Sequence, residues 1–372
     1  MALSGSSNQK VLIAFDKFKG SISAKDASSV IASVLKQEKS ALQILELPIA
    51  DGGDGTLDIL WDHDFTQVET EVVGALLNPQ LGRYALSRDG DMAFIEMASI
   101  CGIAELNSLD AFGASSFGLG IAARHAISCG ATQIIISLGG SASTDGGLGL
   151  LMGLGAFARN DGGEEITPNL EGLKEISDLE TEKIPSGITW TFLADVENPL
   201  VGENGAAHIF GKQKGMSDVD ATFADNLLNN WADLLVTKSG KDIRSIPGSG
   251  AAGGVAAAGI AILGGHVEPG SLWLAKLVGL EEAIAQSDVV ITGEGSFDEQ
   301  SFMGKGPGLV IELAKKYKKK IYVIAGRVDP SHMKDISYIS LSELAPSQDA
   351  AFTQPIHWLQ EAASELAVIL DV

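Results

Sequence analysis

The sequence predicts a two-domain α/β protein: a doubly wound, parallel-sheet domain split in sequence, with a second α/β domain of mixed sheet inserted into it. Three observations predict this. The chain opens and closes on short apolar runs, each followed by a loop and a helical pattern, the alternation that builds a parallel sheet covered on both faces. Near Asp64 that alternation gives way to short strand-like segments separated by turns, with antiparallel character. The length, 372 residues, exceeds that of an ordinary single domain.

Taken in order, Val11–Phe15 reads as a buried strand and Asp16–Gly20 as a loop. Ser21–Lys36 reads as a helix: Ser23 with Asp26 resembles a capping box, and Val30, Ile31, Val34 and Leu35 keep helical spacing. Gln43–Leu47 is the next strand, Ala50–Gly55 a loop, and a helix starts at Thr56. Gln67–Val73, Arg83–Ser87 and Met92–Met97 are the short strands of the changed pattern. Phe117–Cys129 reads as a helix and Gln133–Leu138 as an apolar strand running into Gly139–Gly149 and a glycine-spaced helix. Thr189–Leu193 is a strand, Thr222–Val236 a helix, and Gly248–Gly265 a small-residue helix packed closely on a neighbour.

The doubly wound pattern then returns. Asp288–Thr292 is a strand, Gly293–Gly306 a loop, Pro307–Lys320 a helix with Pro in its first turn, and Ile321–Ala325 and Asp335–Leu341 are strands. The lysine run Lys315–Lys320 would then sit at a helix C-terminus and complement its dipole. On this pattern residues 1–65 and 286–372 form the split domain and 66–285 the inserted one. No internal repeat is evident.

Bulk composition narrows the function. Hydrophobic residues make up 45% and charged residues 20%, values of a globular protein with a core. The net charge of −22 repels phosphate backbones and anionic lipid, which argues against nucleic acid and membrane partners. Any site for an anion must therefore be built locally. Two cysteines, Cys101 and Cys129, are too few for a disulfide framework and read as buried thiols. No apolar run has the length of a leader or a membrane span, so the cytoplasm is the expected location.

Glycine, at 44 residues, is abundant and clustered, and five acid-bearing loops, four of them with glycine, stand at strand ends or helix starts. They are Asp16–Gly20, Ala50–Thr56, Gly139–Gly147, Asp195–Leu200 and Gly293–Asp298. In open α/β sheets ligands bind beyond the carboxyl ends of the strands, where these loops lie. Known phosphate motifs are absent: there is no G-x-x-x-x-G-K-[ST]. Gly248–Gly253 matches G-x-G-x-x-G, which would support a nicotinamide-dependent dehydrogenase only if a strand ran into it. No His–Cys cluster has zinc spacing.

Phosphoryl transfer needs a phosphate cradle, a divalent cation, a base and a neutralising cation. Backbone N–H groups of Gly139, Gly140, Ser141 and Gly146 could cradle phosphate, with Gly293, Gly295 and Gly304 in the later loops. Asp195, Glu294 and Asp298 are candidate hard metal ligands, and Asp195 is also a candidate base. Lys19, Lys212, Lys214 and Lys305 are candidate cations.

The motifs Phe15–Ser21, Ala50–Thr56, Gly139–Gly149, Asp195–Leu200, Phe210–Gly215, Gly250–Gly254 and Ile291–Gln300 with Gly304-Lys305 occur in one order. In that order the chain, from about Val11 to Arg327, resembles the bacterial, non-P-loop glycerate kinase family. The resemblance implies two α/β domains with the active site in the cleft between them, and ATP and Mg²⁺ as co-substrate and cofactor. It implies phosphorylation of a hydroxyl of D-glycerate, leaning toward 2-phosphoglycerate over 3-phosphoglycerate. On that basis Asp195, Lys19, Lys305 and Lys214 are the expected catalytic residues. Asp16, Lys19, Asp51 and Asp145 are the expected substrate contacts. The family usually has Glu where Asp54 stands, Asn where Thr144 stands and often Arg where Ser296 stands. Those two last departures keep open a kinase of another small hydroxy acid, or a non-catalytic sensor of hydroxy acids. A homodimer is left open.

Overall fold

The computed structural model describes residues 9–50, 52–53, 55–302, 306–334 and 336–370. The chain divides into two compact units, Met1–Asp51 with Ser271–Val372, and Gly52–Gly270. The α/β class is as the sequence predicts.

The first unit is built on a five-stranded, all-parallel sheet. Its strands lie in the order Ser337–Ser340, Lys320–Ala325, Val289–Gly293, Lys10–Phe15, Gln43–Glu46. Numbered within the unit, that is the order 5-4-3-1-2. Chain direction across the sheet therefore reverses at Lys10–Phe15, where Phe15 pairs with Gly293. Alternation along the strands decides which helices cover which face. Val11, Ile13, Phe15, Ile291 and Ile324 pack with Ala27, Ile31 and Leu35 of helix Ala24–Glu38 and Leu359, Ala362 and Leu366 of helix Pro355–Ile369. Val323 and Ala325 point the other way, onto Ile311 of helix Gly306–Lys316.

The second unit carries a mixed six-stranded sheet in the order His266–Glu268, Thr189–Leu193, Gln133–Ser137, Met92–Glu96, Pro79–Ser87, Phe65–Val73. The first four run parallel, and the last three form an antiparallel meander. Helices Phe117–Ser128, Leu148–Leu154 and Ala251–Ile262 pack around it, and Asp218–Ser239 packs on Ala251–Ile262 in a second core.

Several element ends move from their sequence-based positions. The first helix starts at Ala24, because Phe18 and Ile22 bridge across a tight loop; Ser23 caps it by accepting the N–H of Asp26 at 3.0 Å. The helix expected over Thr222–Val236 runs Asp218–Ser239, started by a capping box between Ser217 and Asp220. The lysine-rich helix stops at Lys316, and Lys320 opens the next strand, so only Lys315 and Lys316 complement the dipole. Helix Ala251–Ile262 contains a left-handed run at Ala252, Gly253 and Gly254. Cys101 is buried as expected; Cys129 is exposed, because it lies past the end of its helix where the chain turns outward. No helix among the described residues is long and apolar enough to cross a membrane.

Candidate active site

In the first unit, the switch point of the sheet carries a cavity of about 510 Å³. Its floor comes from two loops that leave neighbouring strand ends, Asp16–Ser21 after Phe15 and Glu294–Asp298 after Gly293. Lys19, Glu294, Gly295 and Asp298, all singled out in the sequence, line it together. Asp16 and Gly293 lie beneath: the N–H of Asp16 donates to the carbonyl of Gly293 at 2.9 Å, and Asp16 is only 6% exposed. Its Oδ1 accepts the N–H of Lys17 at 2.7 Å, which turns the chain out of the strand.

Two cations in this cavity were not among the candidates, Lys17 and Arg327. Arg327 follows the strand Lys320–Ala325 and is fixed by a short parallel ladder in which it pairs with Ser296. The rule that ligands gather at carboxyl strand ends could have found it, since it stands two residues past such an end. The ladder also puts Arg327 beside the position where the sequence lacks an arginine, Ser296. Asp51, Asp54, Gly304 and Lys305 lie outside the described residues.

In the second unit, four loops meet at the carboxyl ends of the parallel strands. The N–H of Leu138 donates to Leu193 at 3.0 Å, so the Gly139 loop and the Asp195 loop leave adjacent strands side by side. Gly53 packs on Gly139 and Gly52 on Gly270; a side-chain carbon would come within 2.9 Å of Gly270 Cα at Gly52 and within 3.1 Å of Gly53 Cα at Gly139. Asp195 is exposed, and its Oδ1 accepts the N–H of Gly270 at 3.0 Å. Glu96, a carboxylate that sequence reading passed over, ends the next strand. It is buried and accepts the N–H of Thr56 at 3.0 Å, starting helix Thr56–Leu60.

The Gly139–Gly147 loop is mostly closed. The N–H groups of Ala142 and Gly146 are bonded to the carbonyls of Cys101 and Gly253. Gly146 sits at φ +64° under Trp231, whose indole N–H donates to its carbonyl at 2.9 Å. The glycines of this loop left exposed are Gly139 and Gly140. Asp145 is fully buried and accepts the N–H and hydroxyl of Ser116, both at 2.7 Å, and the N–H groups of Gly147 and Gly149. Burial raises its pKa against the pull of those four donors.

Lys214 is buried beside the loop. Its ammonium donates to Ser141 Oγ at 3.0 Å and to the carbonyl of Ser143. Burial pushes its pKa down to about 8, with the charge of Asp145 opposing the shift. Thr144 is also enclosed, and its hydroxyl has no hydrogen-bond partner among the described residues. No strand runs directly into Gly248–Gly253, which removes the structural condition for a dinucleotide fingerprint.

Comparison with known proteins decides the assignment. A family model described as the glycerate kinase family matches residues 11–371. The chain belongs to the glycerate kinase family. Glycerate 2-kinase of Escherichia coli K12 is 36% identical over 323 residues, 85% of each chain. Glycerate kinase of Halalkalibacterium halodurans is 34% identical over 373 residues, covering 96% of this chain and 97% of its own. A crystal structure from Salmonella typhimurium LT2, assigned to glycerate kinase 2, superposes with a TM-score of 0.85 at 31% identity. It covers 97% of this chain and 98% of that one. As a member of this family the chain is a kinase, an enzyme that phosphorylates a hydroxyl.

Among the described residues no three His, Cys, Asp or Glu side chains come close enough to hold a metal ion by themselves. Mg²⁺ does not need such a cage: it is held by one or two carboxylates and completes its shell with phosphates and water. Glu294 and Asp298, two oxygen donors lining one cavity with three cations, fit that requirement.

Proposed function

We propose that this glycerate kinase family member phosphorylates D-glycerate with Mg-ATP as donor, and that the product is 2-phosphoglycerate. The observation that carries this reading is the cavity at the switch point. In a chain of net charge −22, Lys17, Lys19 and Arg327 are gathered at one place with two carboxylates. That is the combination two anionic substrates and a divalent cation require. The name of the Escherichia coli relative, glycerate 2-kinase, favours the 2-hydroxyl.

The residues take these roles in the proposal. Glu294 and Asp298 hold Mg²⁺, which when bound offsets the charge of the donor phosphates. Lys19 and Arg327 bind anionic oxygens of the substrates, and buried Asp16 orients the loop that presents Lys19. Exposed Asp195 accepts the proton of the attacking hydroxyl or orients it, with Oδ1 held by Gly270. Gly139 and Gly140 supply open backbone for an oxyanion. Lys214 holds the shape of their loop through Ser141 and Ser143.

The test is ATP consumption coupled to D-glycerate, with the product identified by ³¹P NMR. Turnover giving 2-phosphoglycerate is the expected result. The 3-isomer would overturn the regiochemistry, and a folded protein without turnover would overturn the acceptor. Asp195→Asn keeps an oxygen for the N–H of Gly270 while removing the charge and replacing the second oxygen by an amide donor. It is expected to lower kcat by about 10²–10⁴, with the thermal midpoint unchanged; ordinary turnover would remove Asp195 from the chemistry.

A further inference from the structure

We infer that the apolar residues lining the switch-point cavity seat the flat base of the phosphoryl donor, with the half-exposed ring of Phe352 as its stacking surface. This rests on the reading that the donor is a nucleoside triphosphate.

The lining is chemically mixed. Lys17, Lys19 and Arg327 and two carboxylates share it with Phe18, Leu341, Ala351 and Phe352. Its volume, about 510 Å³, belongs to the class that encloses drug-sized ligands, far more than a three-carbon acid fills. Glycerate carries an oxygen on every carbon and has nothing to offer an apolar wall. A nucleotide has both parts: phosphates for the cations and a flat, weakly polar ring system for the apolar residues.

Phe352 is built as a fixed platform. It is 53% exposed, although an aromatic ring of this size gains from burial. Its backbone is tied to the cation-bearing loop, since the hydroxyl of Ser21 donates to the carbonyl of Phe352 at 2.6 Å. Its ring edge rests on Gly20, where an added side-chain carbon would come within 3.3 Å of Phe352 Cζ. Gly20 has φ +76°, so the loop turns tightly beneath the ring and carries no side chain there. One loop therefore presents Lys19 to the cavity and also supports the aromatic ring. An aromatic face held open at a pocket wall is what base stacking uses.

The experiment is calorimetric titration of the full chain, without glycerate, using ADP and base-free inorganic triphosphate as probes. Wild type, Phe352→Ala, Phe352→Leu and Phe352→Trp are compared. Phe352→Leu keeps an apolar contact on Gly20 and loses only the flat ring, so it remains informative if the alanine variant fails to fold. ADP affinity is expected to fall about ten-fold or more in Phe352→Ala, less in Phe352→Leu, and to be retained in Phe352→Trp. Triphosphate affinity should be equal in all four, and the KM for glycerate should not move. ADP affinity within two-fold of wild type in both the alanine and leucine variants would overturn the inference, as would an equal loss for triphosphate. Turnover of glycerate together with ADP binding indifferent to Phe352 would sink the base subsite and leave the function standing. ADP binding that depends on Phe352, without turnover of glycerate, would support the subsite and sink the acceptor.

Discussion

Lys214 shows how a single residue couples the site to stability. Its pKa falls from an ordinary 10.5 to about 8 because the folded state buries it. Below pH 8 both states bind the proton and the full cost of burying the charge is present. Between pH 8 and 10.5 the unfolded chain binds more protons than the folded one, so stability rises with pH. The relief between pH 8 and 10 should amount to about 2 kcal/mol. Urea unfolding of wild type and Lys214→Met at the two pH values checks it: the difference between the proteins should shift toward wild type as pH rises. A difference that stays constant would mean that the folded and unfolded chains bind the proton of Lys214 alike over this range, so that burial does not lower its pKa. Residue types of this kind were partly legible. Lys19, Glu294 and Asp298 could be picked out because each belongs to a glycine-rich loop after an apolar strand. Lys17 stands in the same loop as Lys19 and was passed over, whereas Glu96 and Arg327 belong to none of the five loops, and their place was set by strand order.

Among elements, the contact of helices Phe117–Ser128 and Leu148–Leu154 sets local propensity against packing. Gly120 and Gly153 face each other there, and a side-chain carbon on Gly153 would lie 2.4 Å from the carbonyl oxygen of Phe117 and 2.8 Å from Cα of Gly120. Propensity alone favours Gly153→Ala by about 1 kcal/mol. The crossing has no space for the methyl group, and overpacking should win, giving a net loss of about 1–3 kcal/mol. Chemical unfolding of Gly153→Ala decides this; a stabilised variant would show that the helices can separate without cost. The sequence marks this as a glycine-spaced helix, yet it does not say which partner requires the glycines. Helix ends were misplaced for a similar reason. The start of the first helix depends on a bridge between Phe18 and Ile22, and the lysine-rich helix ends where Lys320 joins a strand paired with Val289.

For the whole molecule the dominant long-range term is the charge of −22. Self-repulsion of that size destabilises the folded state and is screened by salt. The thermal midpoint should rise by a few degrees between low salt and about 0.5 M NaCl, measurable by differential scanning calorimetry. A midpoint that falls or stays level would mean that pairs such as Arg159 with Asp178 and Glu180 outweigh the repulsion. By itself, the sequence determined the α/β alternation, the antiparallel strands after Asp64 and the five loops that carry the acids. These follow from periodicity and turn chemistry, which act between neighbours in the chain. Only the tertiary structure decided that Ser296 lies beside Arg327, that Lys214 reaches back to Ser141, and that Phe352 closes one wall of the cavity floored by Lys19. Those contacts depend on strand order and on loops brought together from distant parts of the chain, and no local pattern encodes them.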